Sequence, residues 1–179
     1  MSTDSDLIRR SQSSPQEFGA LFDRHAETVH RYAASRVGTE IADDVMGETF
    51  LVAFEKRARF DHSRDSALPW LLGIATNLLH RHRRAEARLF AATEKSAGRL
   101  AAVASVDPDE LRDVAAALKK MAQPDRDTLL LYTWADLSYD EIAVAMNVPI
   151  GTVRSRLNRA RKSVRDLTGT TELQEVRNG

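Results

Sequence analysis

The sequence predicts an all-α protein: two small helical domains joined by a flexible linker, the second ending in a helix-turn-helix. Three observations carry this. Gly and Pro are few (8 and 5 of 179 residues) while Ala, Leu and Arg are abundant, which suits helix interiors. Alternating β-branched runs, the mark of half-buried strands, are missing. Capping signals recur ahead of apolar residues spaced three and four apart.

Residues 1–13 read as frayed or loosely helical. Ser14-Pro15-Gln16-Glu17 predicts a capping box with Pro at the first helical position. Phe18, Leu21, Phe22, Val29, Tyr32, Ala33 and Val37 then form an apolar stripe that stops at Gly38. Thr39 is expected to cap the next helix, whose buried side is Ile41, Ala42, Val45, Met46, Phe50, Val52 and Ala53. A polar loop follows from Phe60 to Ser66. Beyond it Leu68, Trp70, Leu71, Ile74, Ala75, Leu78 and Leu79 predict a strongly apolar helix with Pro69 near its start. The domain so defined runs from 14 to 85. Residues 86–106 have weak periodicity and no large apolar side chain between Phe90 and Leu100, so they read as a linker. A second domain spans 107–167. Asp107, Pro108, Asp109 and Glu110 give another capping signal ahead of Leu111, Val114, Ala115, Leu118 and Met121, and Pro124 restarts a helix through Leu129, Leu130 and Trp134. Residues 168–179 read as a tail.

Residues 138–165 are the most informative stretch. Ser138 and Glu141 form a capping box, and Ile142, Ala143 and Met146 supply a short apolar stripe. Asn147-Val148-Pro149 breaks the helix, because a pre-proline residue leaves the α region and Asn tolerates the left-handed one. Val153, Leu157, Ala160 and Val164 then mark one face of a second helix. Arg154, Arg156, Arg159, Arg161, Lys162 and Arg165 decorate the rest with no acid among them. A merely solvated face mixes signs for i,i+4 support, so this pattern points to a helix-turn-helix whose second helix enters a DNA major groove. Ala143 and Gly151 are expected where the two helices approach closely.

Charge is segregated along a chain that is neutral overall, with 26 basic and 26 acidic residues. Bulk charge is therefore not what attracts nucleic acid; local faces are. Asp43, Asp44 and Glu48 form an acidic cluster on the second helix. Helix-dipole complementation accounts for Asp43 and Asp44 but poorly for Glu48, and Asp44 repels Glu48 at i,i+4; a docking face for a basic partner competes with that reading. His80, Arg81, His82, Arg83, Arg84 and Arg88 make a basic face at the end of the Trp70 helix. A charged track beside an aromatic suits single-stranded nucleic acid, although Trp70 by itself reads as a core residue.

Other classes fit poorly. There is no Cys, which excludes disulfides, Cys-based zinc sites and thiol catalysis. No long apolar run occurs and the first residues are polar and acidic, which predicts a cytoplasmic protein without a membrane span. His80 and His82 face different ways on a helix, and His25 and His30 are five apart, so neither pair suits one metal ion. No nucleophile–base pair or Gly-rich phosphate loop stands out, so neither an enzyme nor a cofactor site is expected.

Three stretches, in order and spacing, resemble the extracytoplasmic-function (ECF) group of bacterial RNA polymerase sigma factors. They are Ala42-Asp43-Asp44-Val45-Met46-Gly47-Glu48-Thr49-Phe50; Pro69-Trp70-Leu71-Leu72-Gly73-Ile74-Ala75-Thr76-Asn77; and Leu137-Ser138-Tyr139-Asp140-Glu141-Ile142-Ala143 running into Gly151-Thr152-Val153-Arg154-Ser155-Arg156-Leu157. The resemblance covers roughly residues 15–84 and 108–167. It implies a subunit that binds core RNA polymerase through the clamp coiled coil of the largest subunit and the flap region, and that directs promoter-specific initiation. It places Asp43, Asp44, Glu48 and Phe50 on the clamp. It places Phe60, Asp61, Arg64 and Asp65 in the loop reading the melted −10 element beside Trp70, Asn77 near a flipped-out base, and His80, Arg81 and Arg84 on nearby phosphates. On the −35 duplex it implies base-facing roles for Arg154, Ser155, Asn158 and Arg159, with Thr152, Arg156 and Lys162 on phosphates. It also implies an anti-sigma factor as a partner. The loop departs from the family in having Ala-Leu-Pro before Trp70 and no aromatic beyond Phe60. A helix-turn-helix regulator acting without the polymerase is the rival reading; it leaves the acidic helix and the Trp70–Arg84 unit without a task.

Overall fold

Apolar side chains spaced for helix packing build each core of the protein, here seen in a computed structural model that describes residues 2–93 and 117–168. The chain divides into two compact units, Met1–Ala102 and Val103–Gly179. Among the described residues every regular element is helical.

The first unit contains α1 (Asp4–Ser11), a 3-10 turn (Pro15–Phe18), α2 (Gly19–Val37), α3 (Thr39–Lys56), a second 3-10 turn (Arg57–Arg59) and α4 (Leu68–Thr93). Helices α2, α3 and α4 pack on one another around Leu21, Val29, Tyr32, Val45, Leu71, Leu72 and Leu79, all fully buried. Each such aliphatic side chain contributes about 1.5–3 kcal/mol on leaving water. The Tyr32 hydroxyl inside is satisfied: Thr76 Oγ1 donates to the Leu72 carbonyl at 2.7 Å, Tyr32 Oη contacts Thr76 Oγ1 at 2.7 Å, and Arg36 donates to Tyr32 Oη at 2.8 Å. The Tyr32 proton therefore goes to Thr76. Gly38 ends α2 with φ 82, a conformation that suits a residue without Cβ.

Four local expectations for this unit change. Residues 4–11 are a helix, because Thr3 accepts from the Asp6 N–H while Asp6 accepts from the Thr3 N–H, and Leu7 and Ile8 are buried; the first unit begins before residue 14. Ser14 makes no cap: Pro15 opens a 3-10 turn instead of an α-helix, and the Glu17 carboxylate accepts from Arg10 at 3.2 Å. Thr39 does not cap either, since Gly38 already occupies that position and Thr39 is the first residue of α3. Helix α4 continues to Thr93, past the expected linker start at 86.

The second unit contains helical residues 117–120, α5 (Gln123–Trp134), α6 (Tyr139–Met146) and α7 (Ile150–Thr168). Leu131, Ile142, Val153, Leu157 and Ala160 are fully buried where α5 and α6 pack on α7. The Ser138–Glu141 capping box forms as expected: Ser138 Oγ accepts from the Glu141 N–H, and Glu141 accepts from the Ser138 N–H at 2.8 Å. Asn147 sits in the left-handed region (φ 51, ψ 52) and its N–H closes α6 on the Ala143 and Val144 carbonyls. Gly151, however, is exposed, and a Cβ there would meet nothing within 4 Å. Close helix approach does not require it. The capping signal at 107–110, most of the linker and the tail lie outside the described residues.

Candidate nucleic-acid interface

Helix α7 sorts its residues into two faces. Val153, Leu157 and Ala160 are inside; Arg154, Ser155, Asn158, Arg159 and Lys162 are exposed, with Thr152 and Arg156 half-buried. The exposed five recur at i, i+1, i+4, i+5 and i+8, which places them along one side of a helix. That side carries donors and an amide of the kind that reads base edges. Arg161 lies 5.3 Å from the centre of the Tyr132 ring and approaches Tyr139 Oη at 3.4 Å, so it braces the unit. Arg156 reaches Met146 Sδ at 3.6 Å. Arg159 makes a two-pronged contact with Asp125, Nε to Oδ2 at 2.9 Å and Nη2 to Oδ1 at 2.8 Å. The hydrogen bonds, and then the charge of Asp125, hold the Arg159 guanidinium protonated beyond its ordinary range. Nothing in local sequence spacing announces this pair.

In the first unit the loop between the second 3-10 turn and α4 carries the four residues expected there. Asp61, Arg64 and Asp65 are exposed. Asp61 accepts from the side chain and N–H of Ser63 at 2.7 and 3.0 Å; these bonds hold its carboxyl below the ordinary range. Phe60 lies in the loop as well, but it is only 6% exposed and its ring stands edge-on to His62 and Trp70, 5.4 and 5.3 Å away. It supports the loop from inside and presents no stacking face to solvent. Trp70 is half-buried, Asn77 exposed, His80 half-buried, Arg81 and Arg84 exposed. Arg81, His82, Arg84, Ala85 and Arg88 line one shallow basic concavity along α4.

Sequence reasoning missed what holds this loop. Asp4, on α1, is 6% exposed. Its carboxylate accepts from the Ala67 N–H at 2.8 Å and from Arg24 at 2.9 Å, and contacts His25 Nε2 at 2.6 Å. The Asp4 N–H donates to the Asp65 carbonyl at 3.1 Å, and Ser5 Oγ lies 3.0 Å from His62 Nδ1. Helix α1 thus fastens both ends of the 61–67 segment. Burial by itself raises the Asp4 carboxyl pKa; the bonds from His25, Ala67 and Arg24 outweigh it and lower the pKa to about 2. A depressed carboxyl stabilises the fold above its unfolded pKa of 3.8, and that contribution is lost as pH falls through about 2. Asp4→Asn is therefore expected to melt at lower temperature than the parent near neutrality, with the gap closing across that acid window. A gap that persists unchanged at low pH would contradict the role of the charge.

The acidic residues of α3 lie near this basic face. Asp44 is exposed, Asp43 lies 3.3 Å from His30 Nε2, and Glu48 pairs with Arg81 at 2.6 Å. Phe50, placed with them by the family resemblance and on the buried side of the helix by its spacing, is buried at 7% with its ring 4.9 Å from Phe22; a large apolar side chain on the period of the core is drawn inward. Leu51 (58% exposed) and Phe22 (40%) are the large apolar residues left outside on α2 and α3. Asp44, Glu48 and Leu51 share a helix face at i, i+4 and i+7. Among the described residues no group of three or more His, Asp or Glu could hold a metal ion, and no helix is long and apolar enough to cross a membrane.

Two helical units with these faces define a class of protein. The family pattern for sigma-70 region 2 matches residues 21–89, and that for sigma-70 region 4 matches residues 111–164. The ECF RNA polymerase sigma-E factor of Escherichia coli (strain K12) is 30% identical over 178 residues, covering 90% of this chain and 92% of that one. The RNA polymerase sigma factor CarQ of Myxococcus xanthus is 29% identical over 175 residues, 96% and 100% of the two chains. The solved structure of CnrH in complex with the cytosolic domain of CnrY superposes with TM-score 0.68 at 27% identity, covering 94% and 99%. The sigma factor RpoE of Bartonella quintana has the same fold, with TM-score 0.67 at 22% identity over 88% and 99%. The chain belongs to the ECF group of RNA polymerase sigma factors. It binds core RNA polymerase and directs promoter-specific transcription initiation, and the reading as a free-standing regulator is set aside. Sigma factors are polymerase subunits that are not themselves enzymes.

Proposed function

We propose how the labour is divided among the residues of this sigma factor. The α3 face of Asp43, Asp44 and Glu48 docks on a basic surface of core polymerase. The α1-fastened loop with Asp61, Arg64 and Asp65, and the α4 face with Trp70, Asn77, His80, Arg81 and Arg84, take the melted −10 strand; Asn77 offers a donor and an acceptor to a base edge. On the −35 duplex Arg154, Ser155, Asn158 and Arg159 face bases, while Thr152, Arg156 and Lys162 position the helix on phosphates. The chain itself performs no chemistry and works in the cytoplasm, where the polymerase is. The observation that carries this reading is the two-faced α7, with three apolar residues buried and five polar ones exposed.

An inhibitory partner belongs to the proposal. CnrH, 27% identical, is solved with the cytosolic domain of CnrY, and an anti-sigma factor of comparable action would keep this chain from the polymerase.

Transcription in vitro with purified core enzyme on a fragmented genomic library tests the whole reading. Added protein is expected to yield transcripts from a defined set of starts sharing two upstream elements; transcripts no different from core enzyme alone would reject it. Binding to a −35 duplex is expected to weaken with salt, log K falling against log [salt] with slope about −2 if Arg156 and Lys162 each neutralise one phosphate. A flat response would remove the phosphate roles.

A further inference from the structure

We infer that Asp125 is a positioning residue for promoter specificity: it buttresses Arg159 so that the free edge of the guanidinium is presented to a guanine in the −35 duplex. The inference rests on the reading of α7 as the duplex reader and deepens it.

The geometry is specific. A guanidinium has two edges that can make paired hydrogen bonds. Nε and Nη2 together bind the two Asp125 oxygens at 2.9 and 2.8 Å. This uses one edge and leaves the other, Nη1 with the outer hydrogen of Nη2, unspent. That free edge matches the O6 and N7 acceptors of guanine in the major groove. Exposure divides the same way: the Asp125 side chain is 9% exposed, the Arg159 side chain 59%. The anchor is inside the domain and the reading edge is outside.

The placement also makes sense energetically. Asp125 lies in the first turn of α5, where the helix dipole favours a carboxylate. A free Arg side chain surrenders much rotamer freedom when it fixes on a base, and a planar fork already held on one edge surrenders less. Asp125 also brings a negative charge toward a polyanion. A residue serving affinity alone would not do so; a residue serving discrimination gains from it, because non-specific attraction falls while the oriented contact is kept.

The test uses the full chain and −35 duplexes in which each position is varied in turn. Asp125→Asn is expected to lower the preference for guanine at a single position by about tenfold, with preferences elsewhere kept and binding to non-cognate duplex equal or tighter. Arg159→Ala is expected to lose preference at that same position, and the double variant to be no worse than Arg159→Ala. If Asp125→Asn does not fold by thermal unfolding, Arg159→Lys decides instead: it keeps the charge without the fork and should lose the same single preference. Two outcomes overturn the inference. One is unchanged base preference in Asp125→Asn (or in Arg159→Lys, if that variant decides). The other is tighter cognate binding with sharper guanine preference in Asp125→Asn, which would mean that Asp125 masks Arg159. Failure of the underlying reading is distinguishable, because then Arg154→Ala would also leave duplex binding unaltered.

Discussion

The Asp44→Arg, Glu48→Arg double variant is expected to lose binding to core polymerase while keeping its fold. Both side chains stand on one face of α3, with Asp44 exposed and Glu48 only partly engaged by Arg81. Reversing two charges against a basic docking surface costs on the order of several kcal/mol, so affinity falls by roughly a hundredfold or more. The fold survives because the Glu48–Arg81 pair lies at the surface, with side chains 35% and 66% exposed, and such pairs contribute about 1 kcal/mol at most. Titration of labelled protein with core enzyme reads the first effect and thermal unfolding the second. Core binding equal to that of the parent would remove the acidic face from the proposal.

Phe60→Ala is expected to have the largest effect on stability among residues of the loop. The ring is buried against His62 and Trp70, and truncating such a side chain costs about 3–5 kcal/mol. Promoter opening would fail in this variant through loss of the loop, without any base having been contacted. Asn77→Ala is the contrasting case. Asn77 is exposed on α4, so unfolding should be unchanged while capture of a −10 single strand weakens. If Phe60→Ala unfolds like the parent yet loses strand capture, the ring reaches the DNA after all.

These contrasts mark where sequence is informative and where it is not. The helix-turn-helix was legible because its determinants are local: Ser138 and Glu141 are three residues apart, and Asn147 ends its own helix. The buried face of α7 follows from spacing alone. Helix α1 was not legible, since eight residues with two buried aliphatics give little periodicity, and its value lies in tertiary contacts. Asp4 meets Ala67 across 63 positions and Asp125 meets Arg159 across 34. Pairings at such range leave no trace in local pattern. Phe60 shows a complementary limit, since its place in the loop is legible but the inward turn of its ring is not. A residue can belong to a functional segment and still be turned inward, because an aromatic ring gains more from burial than from waiting in water for a partner.

The Glu48–Arg81 pair joins a residue proposed for the polymerase to one proposed for DNA. Two ligands that draw on the two halves of one ion pair are thermodynamically linked. If core enzyme takes Glu48, Arg81 is released toward phosphate, and bound DNA lowers the cost of freeing Glu48 by the same amount. The size of this reciprocity is bounded by the worth of the pair itself, about 1 kcal/mol, or roughly a fivefold change in either affinity. The contact is thus a weak ratchet, enough to bias the order of assembly but too small to enforce it.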